Sequence, residues 1–212
     1  MRVGVIDYGV GNLGSVLRAL EELKVKPILI KRAVDMHETD ALILPGVGNF
    51  ADCASLLSEN GWESALQDEV LSYKRPLLGI CVGMQLLADS STEGSTNGHR
   101  INGLGLIPGE VLHLQSMGCT LRVPHVGWNG IVRTQQQDRL FDLIPDGTDF
   151  YFVHSYVFVP TNSEDVLATT EHGVPITAAV RRGHVWGTQF HPEKSSRAGF
   201  RLLKNFINCA AC

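Results

Sequence analysis

Cys81 stands between Gly79 and Gly83, directly after an apolar run that reads as a buried strand. A thiol set there has the surroundings of a nucleophile elbow, a sharp strand-to-helix turn that strains its central residue and leaves no room for side chains two positions before and after. Glycine at both flanks removes those collisions, and a helix opening just after the cysteine favours its anion. Far downstream, Gln189-Phe190-His191-Pro192-Glu193 supplies an imidazole with a carboxylate two residues on. Proline pushes His191 out of the helical region, and in extended chain residues two apart face the same side. Glu193 can then hold one ring nitrogen and leave the other for a thiol, which is what a cysteine nucleophile needs for acyl transfer.

Two glycine loops could serve or rival that chemistry. Leu44-Pro45-Gly46-Val47-Gly48-Asn49-Phe50 ends a buried strand, so the backbone N–H of Val47 can point into a cleft without side chains in the way. With the N–H of Val82 it would make a two-point oxyanion hole. Gly9-Val10-Gly11-Asn12-Leu13-Gly14 is a formal dinucleotide fingerprint between a strand and a helix, with Lys31 and Arg32 placed to meet a ribose phosphate. That reading lacks the acidic ribose ligand and leaves the elbow and the His-Pro-Glu segment unexplained. The remaining histidines and cysteines have no paired ligand spacing, so neither a metal nor a cofactor is expected. Cys53, Cys119, Cys209 and Cys212 lack an elbow setting and read as structural. Cys209-Ala210-Ala211-Cys212 spells both a CxxC pair and a prenylation box, but it has the context of neither.

Such groups need a frame to hold them. At 212 residues, 44% hydrophobic and 19% charged, the chain has enough for one sizeable core, and a single domain over residues 1–212 is expected. A net charge of −4 argues against a phosphate-backbone footprint, so no nucleic-acid partner is expected. No apolar run reaches membrane-spanning length, and no signal-peptide core is visible. Five irregularly spaced cysteines fit a reducing, cytoplasmic setting.

Near-continuous apolar runs at Arg2 to Asp7, Pro27 to Ile30, Ala41 to Leu44 and Pro76 to Ile80 predict parallel strands covered on both faces, with a helix over Asn12 to Leu23. The second half predicts antiparallel strands at Val111 to Leu114, Phe150 to Val159, Val166 to Thr170, Ile176 to Val180 and Val185 to Phe190. A helix follows over Ser196 to Ala211. The polar stretch Ser90 to Gly98 reads as an exposed loop after the elbow helix.

The Gly-x-Cys-x-Gly and His-Pro-Glu pair resembles the class I (triad) glutamine amidotransferases. Asp7-Tyr8-Gly9-Val10-Gly11-Asn12-Leu13, Pro45-Gly46-Val47-Gly48, Gly79 to Gln85, Pro124-His125-Val126-Gly127-Trp128-Asn129, Tyr151 to Tyr156 and Gln189 to Ser195 narrow the likeness to the glutaminase subunits of imidazole glycerol phosphate synthase. The resemblance implies an α/β three-layer sandwich with a central, mostly parallel mixed sheet, flavodoxin-like, with antiparallel strands in the second half. It implies a triad of Cys81, His191 and Glu193, oxyanion donors at Val47 and Val82, and a glutamine pocket of Gly48, Gln85, His154, Ser155 and Tyr156. Val10, Tyr151 and Lys194 would face the ammonia exit and the partner, a cyclase subunit with a (β/α)8 barrel that forms a heterodimer and uses the ammonia in histidine biosynthesis. A triad glutaminase of another pathway, or a dinucleotide-binding module on Gly9 to Gly14, are the alternatives. In the family's elbow Leu often stands where this chain has Val82, and some relatives have proline at Val10.

Overall fold

The apolar runs of the first half become the parallel centre of a large sheet. In the computed structural model, which describes residues 1–95, 99–134 and 138–211, the first half contains β1 (Arg2–Ile6), α1 (Leu13–Glu22), β2 (Lys26–Ile30), β3 (Ala41–Gly46), α2 (Phe50–Ser58), α3 (Trp62–Gln67), β4 (Leu77–Cys81) and α4 (Val82–Gln85). Short strands β5 (Ser90–Ser91) and β6 (Ile101–Asn102) follow, then β7 (Gly109–His113), β8 (His125–Gly130), β9 (Val132–Arg133) and β10 (Asp149–His154). The chain ends in β11 (Tyr156–Pro160), β12 (Val166–Glu171), β13 (Pro175–Arg182), β14 (Val185–Thr188) and α5 (Ser196–Ala210).

Eight strands form the main sheet in the order β2-β1-β3-β4-β14-β13-β12-β9. The pairings from β2 through β14 are parallel, and those beyond it are antiparallel. Every residue of β3 and β4 is buried, as a parallel strand covered by helices on both faces requires. Val16, Ala19 and Leu20 of α1 and Leu202, Leu203 and Phe206 of α5 supply apolar helix faces to the same core. Asn49 caps α2 by accepting from the N–H groups of Ala51 at 2.7 Å and Asp52 at 3.3 Å. Among the described residues no helix is long and apolar enough to cross a membrane.

Two expectations change. The run Phe150 to Val159 is two strands that part at Ser155, because β10 pairs with β8 while β11 pairs with β7 in a different sheet. The stretch from Ser90 is not simply an exposed loop. Ser91 is fully buried and pairs within the β7 sheet, its hydroxyl satisfied by the N–H of Glu93 at 3.0 Å. Residues 96–98 of that stretch, and Cys212 of the terminal CxxC, lie outside the described residues.

Candidate active site

The elbow is built by strain at one residue and emptiness at two. Cys81 ends β4 with φ 55° and ψ −112°, outside the comfortable regions for a side-chain-bearing residue. A Cβ on Gly79 would lie 2.5 Å from the Gly83 carbonyl oxygen, and one on Gly83 would lie 1.9 Å from that of Leu44. The flanking glycines are therefore a condition of the turn. They bring α4 and β3 against β4 closely enough to present Cys81, a residue 4% exposed, at the carboxyl end of the sheet.

Strand pairing delivers the imidazole. β14 lies beside β4 with Thr188 opposite Ile80, and the chain then leads within three residues to His191. The N–H of His191 donates to the Tyr151 carbonyl at 3.0 Å, and its Nδ1 meets Glu193 Oε1 at 2.8 Å. Nε2 is left for the sulfur. Burial works against a charge on His191, but hydrogen bonds to Cys81 and then Glu193, with attraction to both as anions, outweigh it and push the imidazole up to about 9. Asn12 Nδ2 reaches the same Glu193 oxygen at 3.5 Å. The fingerprint loop thus meets the carboxylate end of this row, a role its glycine pattern did not announce.

A cavity of about 400 Å³ opens over the thiol. Of the residues expected at the site, Val47, Gly48, Cys81, Val82, Gln85, His154, Ser155, Tyr156, His191 and Lys194 line it. Glu193 sits behind His191 with its side chain 1% exposed. Tyr151 lies outside the lining but under the Lys194 ammonium, with Nζ 5.9 Å from the ring centre. Val10 is half-buried against the core beside the first loop. Cys53, expected to be structural, directs its thiol at the Val47 carbonyl at 3.5 Å and so holds the glycine loop from behind.

Glu93 also lines the cavity and was missed. Its carboxylate accepts from the N–H of Phe50 at 2.9 Å, and burial pushes its carboxyl above the usual range. One signal was available: it is the single acid in the polar stretch after the elbow helix.

The floor of the pocket is held by two imidazoles of fixed tautomer. His154 Nδ1 lies 2.9 Å from the Tyr156 carbonyl, which can only accept, so that nitrogen carries the hydrogen. His154 Nε2 must then accept from His125 Nδ1 at 3.0 Å, and His125 Nε2 from the Asn129 amide at 3.3 Å. Burial lowers His154 to about 3 and His125 to about 4, the latter aided by stacked His172, so both rings are neutral. Among the described residues, no three His, Cys, Asp or Glu side chains gather as metal ligands.

The chain matches the family described as Glutamine amidotransferase class-I over residues 4–209. It is 46% identical over 204 residues to the imidazole glycerol phosphate synthase subunit HisH of Moorella thermoacetica, covering 96% of this chain and 93% of that one. The subunit of the same name from Halalkalibacterium halodurans is 45% identical over 208 residues, covering 96% and 94%. Among solved structures, a glutamine amidotransferase superposes with TM-score 0.76 at 22% identity, covering 99% of both chains. PurLQS from Thermotoga maritima does so with TM-score 0.76 at 18% identity and 98% of both. These last two speak for the fold alone.

Proposed function

Because the chain belongs to the class-I glutamine amidotransferases, we propose that it is the glutaminase subunit of imidazole glycerol phosphate synthase, releasing ammonia from L-glutamine for a cyclase subunit. The observation that carries this reading is a strained thiol facing a His–carboxylate pair at the mouth of a cavity large enough for an amino acid. Cys81 attacks the side-chain amide carbon of glutamine, and the developing oxyanion is met by the N–H groups of Val47 and Val82. His191 gives its proton to the departing nitrogen, and ammonia leaves. Water then adds to the glutamyl thioester, His191 takes a proton from it, and glutamate and the thiolate are regenerated. Glu193 keeps the ring in the tautomer that faces the sulfur.

Gly48, Gln85, Ser155 and Tyr156 hold the substrate, with Glu93 placed to receive its ammonium and His154 fixing the Tyr156 backbone. Val10, Tyr151 and Lys194 face the partner and the ammonia exit. Ammonia free in water near neutral pH is mostly ammonium, which is no nucleophile, so the product is useful only when passed directly to a synthase. That partner is a cyclase with a (β/α)8 barrel, bound as a heterodimer in the cytoplasm, which makes imidazole glycerol phosphate and aminoimidazole carboxamide ribotide for histidine biosynthesis. Two nearly full-length likenesses to subunits of this synthase favour it over another glutamine-dependent pathway.

Cys81→Ala, assayed with the cyclase, should abolish glutamine-dependent synthesis while ammonium salts still support it. Loss of both activities would assign Cys81 to structure and end this reading.

A further inference from the structure

We propose that Gln189 is a further catalytic residue, donating a hydrogen bond from its side-chain amide to the sulfur of Cys81 and stabilising the thiolate both as attacking and as leaving group. The inference rests on the reading of Cys81 as the nucleophile. Gln189 is fully buried, and its Nε2 lies 3.8 Å from Cys81 Sγ, within reach of a large sulfur acceptor.

The two ends of a glutamine amide have the same shape, so only their partners can say which one faces the thiol. Here the partners leave no choice. The Tyr156 carbonyl is an acceptor, so the Gln85 group 2.9 Å from it is the NH2. That same NH2 lies 3.0 Å from the other end of the Gln189 amide, which must therefore be the oxygen. The NH2 of Gln189 is left pointing at the sulfur. Reversing it would set NH2 against NH2 and a carbonyl oxygen against an anion, with both amides buried.

The backbone enforces the same arrangement. The N–H of Gln189 donates to the Ala178 carbonyl at 2.9 Å, continuing the tie to β13 just past the end of β14. The chain bends at Gln189 and Phe190 after β14, and from there both the Gln189 amide, at 3.8 Å, and the His191 imidazole, by its own hydrogen bond, reach the sulfur of Cys81. A thiolate on a residue this buried has less hydration than it would have in water, and His191 can offer it only one donor. A neutral N–H adds stabilisation without a proton that must be returned. The bond weakens when sulfur becomes the neutral thioester and re-forms as water expels it, so both steps benefit.

Two variants test this on the full chain. Gln189→Glu keeps the acceptor for Gln85 and replaces the donor by oxygen, while Gln189→Leu removes both. At pH 7, alkylation of Cys81 by iodoacetamide, followed by mass on the Cys81 peptide, should slow about tenfold or more in each. The kcat for glutamine hydrolysis should fall at least as far in both, with KM held within about threefold in Gln189→Glu, which keeps the tie to Gln85. Wild-type alkylation and turnover in both variants, with Cys81→Ala inactive, would overturn the role of Gln189 alone. A Cys81→Ala chain that still hydrolyses glutamine would overturn the nucleophile itself. Should neither Gln189 variant fold, wild-type protein labelled with 15N-glutamine supplies the readout. The Gln189 amide protons should titrate together with Cys81 and stop doing so in Cys81→Ala; a resonance unmoved across the titration overturns the inference.

Discussion

Despite burial, hydrogen bonds to Cys81 and Glu193 push the His191 imidazole up to about 9, so the ring is charged at neutral pH, as the proposed protonation of departing ammonia requires. The kcat/KM for glutamine should therefore fall on the alkaline side with an apparent pKa near 9, a value belonging to the coupled thiol–imidazole pair. Glu193→Gln should move that limb toward the ordinary imidazole value near 6.5; a limb that stays in place would contradict the role given to Glu193. The same charge enters stability. A folded pKa above the unfolded one contributes stabilisation that is complete below about pH 6.5 and is lost as pH rises through about 9. His125 and His154 act in the opposite sense. Their neutral forms favour folding above about pH 6.5, and that contribution is lost as pH falls toward about 4 and 3, at up to about 1.4 kcal/mol per histidine per pH unit. Denaturant titrations at pH 7.5 and 4.5 should show this loss, smaller in His154→Gln, and 15N spectra of labelled histidine should find both rings protonated on Nδ1. The meeting of Cys81, His191 and Glu193 was legible in sequence because backbone strain and a proline leave marks in the neighbouring residues, although Glu193 reaches the ring from a 3-10 turn over Pro192–Lys194 and not from extended chain. Asn12 and Glu193, 181 positions apart, could be paired only by folding.

Elements that were easy to read are those whose burial is uniform. Parallel strands such as β3 and β4 are apolar along their whole length, and α1 and α5 carry helical spacing. β8 was not seen because one of its faces leaves Val126 and Trp128 about half exposed, which hides the inside-outside contrast that marks a strand. The parting of β10 from β11 was equally hidden, since the apolar run continues on both sides of Ser155 while the hydrogen-bonding partner changes. The elbow itself is an element-level constraint. Gly83→Ala would force a methyl against the Leu44 carbonyl and should lower unfolding free energy by about 3 kcal/mol or more. Thermal unfolding of the purified variant checks it; a shift of only a degree or two would mean that α4 can move away from β3.

At the scale of the molecule, the fold class was legible because alternating strands and helices in the first half restrict the sheet to a parallel centre. The surface proposed to meet a partner was named only through resemblance, because exposed apolar residues on an edge carry no periodic signal. Trp128 packs edge-on to Tyr151 at 6.0 Å, and Lys194 lies over the same ring, so aromatic and cationic groups share one face beside the cavity. Trp128→Ala should weaken assembly with the cyclase about tenfold or more in titration calorimetry. The isolated chain should hydrolyse glutamine slowly and accelerate on adding the cyclase and its ribotide; full turnover without them would remove any need for assembly to arrange the glycine loop at Val47.

The juxtaposition of β4 and β14 also dictates when reactivity arrives during biosynthesis. A ribosome releases the thiol 108 residues before Gln189, with His191 and Glu193 later still. Until β5 through β13 have been translated and β14 has docked beside β4, Cys81 has neither Gln189 nor His191 beside it. Contacts of such long sequence separation are slow to form, so under the proposed function an unfinished copy should leave glutamine intact.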